Sequence, residues 1–367
     1  MSAPPATREL AASVLRRFAV FGRLVSLAPY GGGHINDSWL AHVEQAEGEQ
    51  RFLLQRINQH VFRRPADVME NMVRVTRHVA ARLEREGVPD AARRVLRLVL
   101  ARDGATHVVD ELGETWRLVP WVEGTRSTER AGTAAEAHAT ALAFGRFLRQ
   151  LRDLPGPRLH ETIPAFHDTP ARLAAFERTV AEDRAGRAGE CRPELEAVLD
   201  RRALASALAG PARDGGLPER PVHNDAKIAN VLFDEVSGEA LCVVDLDTVM
   251  PGLSAHDFGD LARSTVSDSD EDERDLGRVA VRLPFYSALA RGFVEGAGDA
   301  LSPVERSLLA TGALVIVYEQ ALRFLADHLD GDRYYRIARP GHNLERARAQ
   351  LALLASLERE RGALEAP

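Results

Sequence analysis

The sequence predicts an α+β chain in two parts, a small sheet with one long helix followed by a larger, mainly helical portion. Three observations carry this. At 367 residues the chain exceeds what one ordinary hydrophobic core supports, so two domains or lobes are the default. The first third holds short apolar or alternating runs broken by glycines, "RLVSLA", "DSWLAHV" and "RFLLQRI", which suit antiparallel strands. After "EGTRST" the pattern turns helical almost throughout.

The elements follow in order. "ADVMENMVRVTRHVAARLERE" sets Val68, Met72, Val75, Val79 and Leu83 three and four apart, an amphipathic helix ended by Gly87 and Pro89. A strand pair around "THVVDEL" and "TWRLVPWVEG" comes next, which places a boundary near residue 124. The expectation is an N-terminal lobe over 1–123 and a helical C-terminal lobe over 124–367. The exception in the helical part is "NVLFDEVSGEALCVVDLD", two apolar runs flanking Ser237 and Gly238, a hairpin signal.

Composition narrows the function. A hydrophobic fraction of 45% and a charged fraction of 28% are those of a globular protein, and a net charge of -7 without a basic stripe argues against nucleic acid as a partner. Cys191 and Cys242 form no CxxC pair, which fits a reducing compartment and neither a zinc site nor a disulfide framework. "MSAPPATREL" lacks a signal-peptide pattern, and no apolar run approaches the ~18 residues of a membrane helix. A cytoplasmic protein without a membrane partner is expected, with a monomer favoured. The acidic run "SDSDEDERD" at 267–275 mimics the start of a calcium loop. Glu273 stands where the turn glycine should be, so the run is read as a solvated loop.

The chemistry concentrates in "HNDAKIANVLFDEVSGEALCVVDLD", residues 223–247. Phosphoryl transfer from ATP needs a carboxylate to orient and deprotonate the attacking hydroxyl, and hard oxygen ligands for magnesium on the triphosphate. Asp225 followed five residues later by Asn230, then a hairpin ending in Asp245, meets the kinase catalytic-loop order: base, metal ligand, metal ligand. Lys227 is the single lysine among 47 Lys and Arg residues. Two residues after Asp225, its compact ammonium can reach a transferring phosphoryl group where a planar guanidinium would not fit.

A literal DFG occurs at Asp257, Phe258 and Gly259, 27 positions after Asn230, whereas Asp245 is 15 positions after it, the distance of a returning hairpin. Asp245 is therefore the expected ligand. Asp247 is a neighbour that binds metal or hydrogen-bonds backbone, and Asp257 is read as structural.

Upstream, "YGGGHINDSWL" places Gly31, Gly32, Gly33 and His34 between strand-like runs, as a loop over phosphates requires. It is neither a Walker A loop, since the chain has no GK dipeptide, nor a dinucleotide fingerprint, since Asn36 replaces the third glycine. A basic residue on the third strand should meet the phosphates and a helix Glu; Arg56 with Glu70 is the expected pair, with Gln55 the rival in a shifted register.

These residues resemble the aminoglycoside phosphotransferase and choline kinase superfamily, and within it the bacterial N-acetylhexosamine 1-kinases. "YGGGHINDSWL", "FLLQRIN", "VMENMVRVT", "LHETIPAFHDTPAR", "HNDAKIANVLFD", "VVDLDTVMPGLSAHDFGD" and "RFLADHLDGDRYYRIARPGHNLERARAQ" carry the likeness. The resemblance implies a bilobal protein-kinase-like fold, a nucleotide-binding N-lobe with a hinge near 120–124, and ATP-dependent, magnesium-assisted phosphorylation of the anomeric hydroxyl of N-acetylglucosamine or N-acetylgalactosamine. It also implies that His34, Arg323 and Tyr334 contact the sugar. Arg323 stands four residues after Glu319, where an intrahelical ion pair is a competing use.

Other readings are a kinase for a different hexose, an amino alcohol or an aminoglycoside, and, from other classes, a sulfatase or a non-catalytic nucleotide-binding protein. "CRPEL" at 191–195 ends in Leu where a sulfatase motif needs Arg, and "GLSAH" at 252–256 is not an esterase elbow. A non-catalytic relative would be expected to lack one of Asp225, Asn230 or Asp245; all three are present.

Overall fold

The computed structural model describes residues 6–31 and 35–365 and divides into two compact units. The first comprises the chain through Arg126 together with Asp153–Pro164 and Leu232–Met250; the second comprises Ser127–Arg152, Ala165–Val231 and the chain from Pro251 onward.

The first unit begins with α1 (Arg8–Leu15), β1 (Arg23–Pro29), β2 (Asp37–Gln45), β3 (Gly48–Arg56), α2 (Pro65–Arg85), β4 (Val108–Val109), β5 (Thr115–Pro120) and β6 (Thr125–Arg126). Strands β1 to β5 form one antiparallel sheet in the order β1-β2-β3-β5-β4. The period of two sends Trp39, Ala41 and Val43 from β2, Phe52 and Leu54 from β3, and Trp116 and Leu118 from β5 into one core, which Ala11, Val14 and Leu15 of α1 complete. Helix α2 starts at Pro65, where the missing N–H costs nothing, and buries Val68, Met72, Val75, Val79 and Leu83 as their spacing predicts.

The chain then forms α3 (Ala134–Leu151), α4 (Thr169–Glu182), α5 (Arg192–Asp200), α6 (Ala209–Arg213) and β7 (Arg220–Val222). The predicted hairpin follows as β8 (Val231–Asp234) and β9 (Ala240–Val243), joined to β6 in the order β6-β8-β9. Its turn is closed by Asp234 Oδ1, which accepts from the Val236 and Ser237 amides, and by Gly238 at φ +71. The remainder is β10 (Met250–Gly252), α7 (Ser254–Thr265), α8 (Leu283–Ala297), α9 (Pro303–Ser307), α10 (Leu309–Leu329), α11 (His342–Arg359) and α12 (Arg361–Glu365).

Glycines set how closely the second unit's helices pack. A Cβ on Gly259 of α7 would lie 2.5 Å from the Gly312 carbonyl of α10, and one on Gly312 would lie 2.3 Å from the Ala255 carbonyl. Backbone therefore rests on backbone, and α7 is pressed against α10 with no slack. By length and composition alone α10 could cross a membrane, but 78% of its apolar window is buried inside the protein, as in a core helix. Two acidic side chains of the predicted solvated loop are latched rather than free: Asp270 pairs with Arg130, and Asp272 accepts from Arg339 and His342 at 2.8 and 2.9 Å.

Candidate active site

In the second unit the segment after β7 is held from below by α7. Both oxygens of Asp257, a residue 1% exposed, accept backbone N–H groups: Oδ2 from His223 at 2.9 Å and Oδ1 from Asn224 at 2.7 Å. Burial pushes this carboxyl up to about 7 against the pull of its two amide donors. The Asp of the literal DFG thus anchors a loop. Asn224 takes the left-handed conformation, φ +62, which Asn tolerates better than most residues, and the chain turns there to present Asp225.

Asp225, Lys227 and Asn230 are brought together as their spacing predicts. Lys227 Nζ lies 2.8 Å from Asp225 Oδ2, and Asn230 Nδ2 donates to the Asp225 carbonyl at 2.9 Å and to Oδ2 at 3.2 Å. Burial works to raise the Asp225 pKa, but the Lys227 ammonium overrides it and holds the carboxyl below its ordinary value, with His223 and Arg263 adding to the effect. The result is an ionised carboxylate at the surface of the loop, its side chain 27% exposed.

Beside this loop lies a second charged cluster. His167 Nδ1 is 3.0 Å from Glu319 Oε1 and its Nε2 is 3.0 Å from the Asn224 carbonyl. Thr169 donates to Glu319 Oε2 at 2.6 Å and Arg172 Nε lies 3.3 Å from Oε1. Glu319 is consequently spent, and the intrahelical pair with Arg323 does not form. The Arg323 guanidinium instead sits over the rings of Phe166 and Tyr335, at 5.7 and 5.5 Å, and donates to Gln320. Asp327 places the next segment by accepting the amides of Arg333, Tyr334 and Tyr335, which leaves the Tyr334 side chain exposed.

In the first unit, Asp245 follows β9 in the left-handed conformation, φ +61, and is exposed, while Asp247 two residues on is buried. Asp247 is not available to a cation in the way its sequence neighbourhood allows. Arg117 of β5 clasps both its oxygens, Nη2 meeting Oδ2 at 3.1 Å, and Asn36 donates to Oδ2 at 2.6 Å. Arg117 also donates to Gln55 at 3.0 Å.

The expected Arg56–Glu70 pair is not formed. Arg56 bonds Asp37, its direct partner across the β2–β3 ladder, and Glu70 meets His160 at 3.0 Å. A cross-strand neighbour fixed by register is nearer than a helix side chain. Gly31 is exposed at φ +72, as a tight turn requires, while Gly32, Gly33 and His34 lie outside the described residues. The sequence did not single out Arg117 or His167, and it offered Glu319 only as a partner for Arg323. For Arg117 and Glu319 the signal was chemical: an Arg inside the apolar run "TWRLVP" and a Glu inside "ALVIVYEQALRF" must find partners when buried.

The family model described as "Phosphotransferase enzyme family" matches residues 26–292. Among solved structures, a microcompartment-associated aminopropanol kinase superposes with a TM-score of 0.59 at 17% identity, covering 97% of this chain and 98% of that one. A spectinomycin phosphotransferase in complex with ADP and spectinomycin gives 0.56 at 11% identity, covering 97% and 99%. Choline kinase from Cryptosporidium parvum gives 0.54 at 12% identity, covering 98% of each chain. These likenesses establish the kinase-like fold, a sheet-rich N-terminal region with a mostly helical C-terminal region. With the family match spanning most of its length, the chain belongs to the phosphotransferase enzyme family.

Proposed function

We propose that this phosphotransferase is an ATP-dependent kinase for a neutral sugar, transferring the γ-phosphoryl group to the anomeric 1-hydroxyl of N-acetylglucosamine or N-acetylgalactosamine. The observation that carries the phosphoryl transfer is the Asp225–Lys227–Asn230 constellation: a carboxylate kept ionised at the surface of its loop, with the side chains of the kinase order folded onto it. Asp225 takes the proton of the acceptor hydroxyl as its oxygen attacks the γ-phosphorus, and Lys227 is the donor assigned to the transferring oxygens. The leaving group is ADP.

The donor chemistry fits magnesium. Within the second unit Asn230 has its amide N–H groups committed to Asp225, so its carbonyl oxygen is the atom it has for a cation; within the first unit Asp245 has an exposed side chain of the carboxylate type such an ion takes. Few protein oxygens, completed by phosphate oxygens, is what that ion takes. When bound, the ion would neutralise charge on the triphosphate. The glycine run of the sequence, of which Gly31 is described in a tight turn at φ +72, is assigned to the phosphates in a nucleotide-binding lobe over 1–123.

The acceptor side supports a sugar over an amine. Arg172 and Arg323 flank Glu319 close enough that Arg323 lowers the Arg172 pKa, after burial, and Glu319 is already matched by His167 and Arg172. An ammonium placed against Arg323 would meet a guanidinium whose neighbouring carboxylate, Glu319, is already matched. Coupled ADP release over N-acetylated sugars, plain hexoses, amino alcohols and aminoglycosides tests this, with product position read by phosphorus NMR. Turnover of N-acetylhexosamines to 1-phosphates is expected, and Asp225→Asn should lower kcat by about 10²- to 10⁴-fold. A 6-phosphate product, or activity only on amines, would overturn the acceptor.

A further inference from the structure

We infer that His167 is a doubly protonated positioning residue: as an imidazolium it holds the Asn224 carbonyl, and with it the peptide plane that aims Asp225. This rests on Asp225 being the base. The ring makes two hydrogen bonds of 3.0 Å, Nδ1 to Glu319 Oε1 and Nε2 to the Asn224 carbonyl. Each partner is an acceptor only. A neutral imidazole has a single N–H and can satisfy one of them, so both bonds require both protons. The side chains are 6% and 2% exposed for His167 and Glu319, so water does not substitute for the missing donor.

The surroundings agree on the charge. Glu319 of α10 faces Nδ1; Asp260 and Asp257 of α7 interact favourably with the ring's charge, and the cations nearby are Arg172 of α4, whose Nε shares Glu319 Oε1 with His167 at 3.3 Å, and Arg323 of α10, which also feels Glu319. His256, also on α7, has its ring centroid 4.8 Å from that of His167 and is kept neutral, its pKa pushed down to about 3 by burial and by the His167 charge. Burial alone would lower His167 too, but Glu319 outweighs it and the ring is held above its ordinary value.

The function of the bond follows from the backbone. The carbonyl of Asn224 belongs to the peptide whose nitrogen is that of Asp225. Asn224 is in the left-handed region, a conformation that persists only where the surroundings over-determine it. Asp257 fixes the amide on one side of this residue and His167 fixes the carbonyl on the other. If the His167 bond is lost, the peptide can rotate and carry the Asp225 carboxylate off its line to the acceptor, which costs transition-state geometry while leaving ATP binding in place.

Three measurements test it. In protein with 15N-labelled histidine, NMR at pH 7.5 should show His167 with both ring nitrogens protonated; a neutral tautomer would overturn the inference whatever the acceptor proves to be. Glu319→Gln keeps the shape and removes the counter-charge, so His167 should lose its proton near neutral pH. Its kcat should fall about tenfold at pH 8 and recover at pH 6, with KM for ATP unchanged. A loss equal at all pH values, or one that follows the melting temperature, would mean a merely structural role. His167→Gln, whose donors sit on a single nitrogen and cannot reach both partners from the two positions the ring nitrogens hold, should be low in kcat at every pH with KM for ATP retained; wild-type kcat would overturn the inference. If no sugar is turned over, the same profiles are read on ADP release to water, which separates a wrong acceptor from a wrong role for His167.

Discussion

Lys227 Nζ lies 2.8 Å from Asp225 Oδ2, so the single lysine of the chain is the counter-ion of the residue proposed as base. The pairing explains why a compact ammonium is kept where every other basic side chain is arginine. Two residues apart, the pair brings a compact point charge onto one carboxylate oxygen, where a planar fork would present its donors in a different geometry.

Removing that charge should move a pH profile. Asp225 is held below its ordinary value in the native protein, so its base form persists through mildly acid pH. In Lys227→Met burial is countered only by the smaller pull of His223 and Arg263, and the acid limb of kcat/KM should shift to higher pH. Lys227→Arg should fold normally and lose much of kcat. Superimposable acid limbs, or a fully active Lys227→Arg variant, would remove the role given to this lysine.

Asp245 and Asp257 should separate by what fails. Asp257→Asn turns one acceptor toward a buried amide into a donor, an unsatisfied contact costing about 1–3 kcal/mol, visible as a lower melting temperature together with lost kcat. Asp245→Ala, at an exposed position, should melt near wild type and lose magnesium-dependent ATP binding by titration calorimetry. The opposite pattern would make the literal DFG the metal site.

The Arg117–Asp247 pair is 2% exposed on both sides, so breaking it strands a charge in the first unit's interior. Arg117→Met is expected to cost about 3–5 kcal/mol in chemical denaturation, whereas replacing both residues by apolar ones should recover much of that loss. Additive single effects in the double-mutant cycle would show that the two side chains act independently.

Glu319 gives the fold an acid dependence. Burial opposes its ionisation, but His167, Arg172 and Thr169 bring its pKa from 4.5 down to about 2. A folded-state value below the unfolded one adds stability that is complete above the unfolded pKa and is lost as pH falls toward the folded one. Melting temperatures should therefore drop between pH 4.5 and about 2 more steeply for the native protein than for Glu319→Gln. Parallel curves would show that Glu319 carries no such linkage.

The sequence by itself determined what is local. The three-and-four spacing of Val68 to Leu83 made a helix, Ser237 and Gly238 made a hairpin, and the five-residue step from Asp225 to Asn230 put two polar side chains on one loop turn, because periodicity and turn chemistry act over a few residues. Tertiary structure decided the partners. Arg117 meets Asp247 across 130 positions and His167 meets Glu319 across 152, and nothing in either neighbourhood names the other. Arg56 turned to Asp37 rather than Glu70 because strand register set the nearer carboxylate. A buried charge announces that it needs a counter-charge; which one it receives is fixed only when the elements pack.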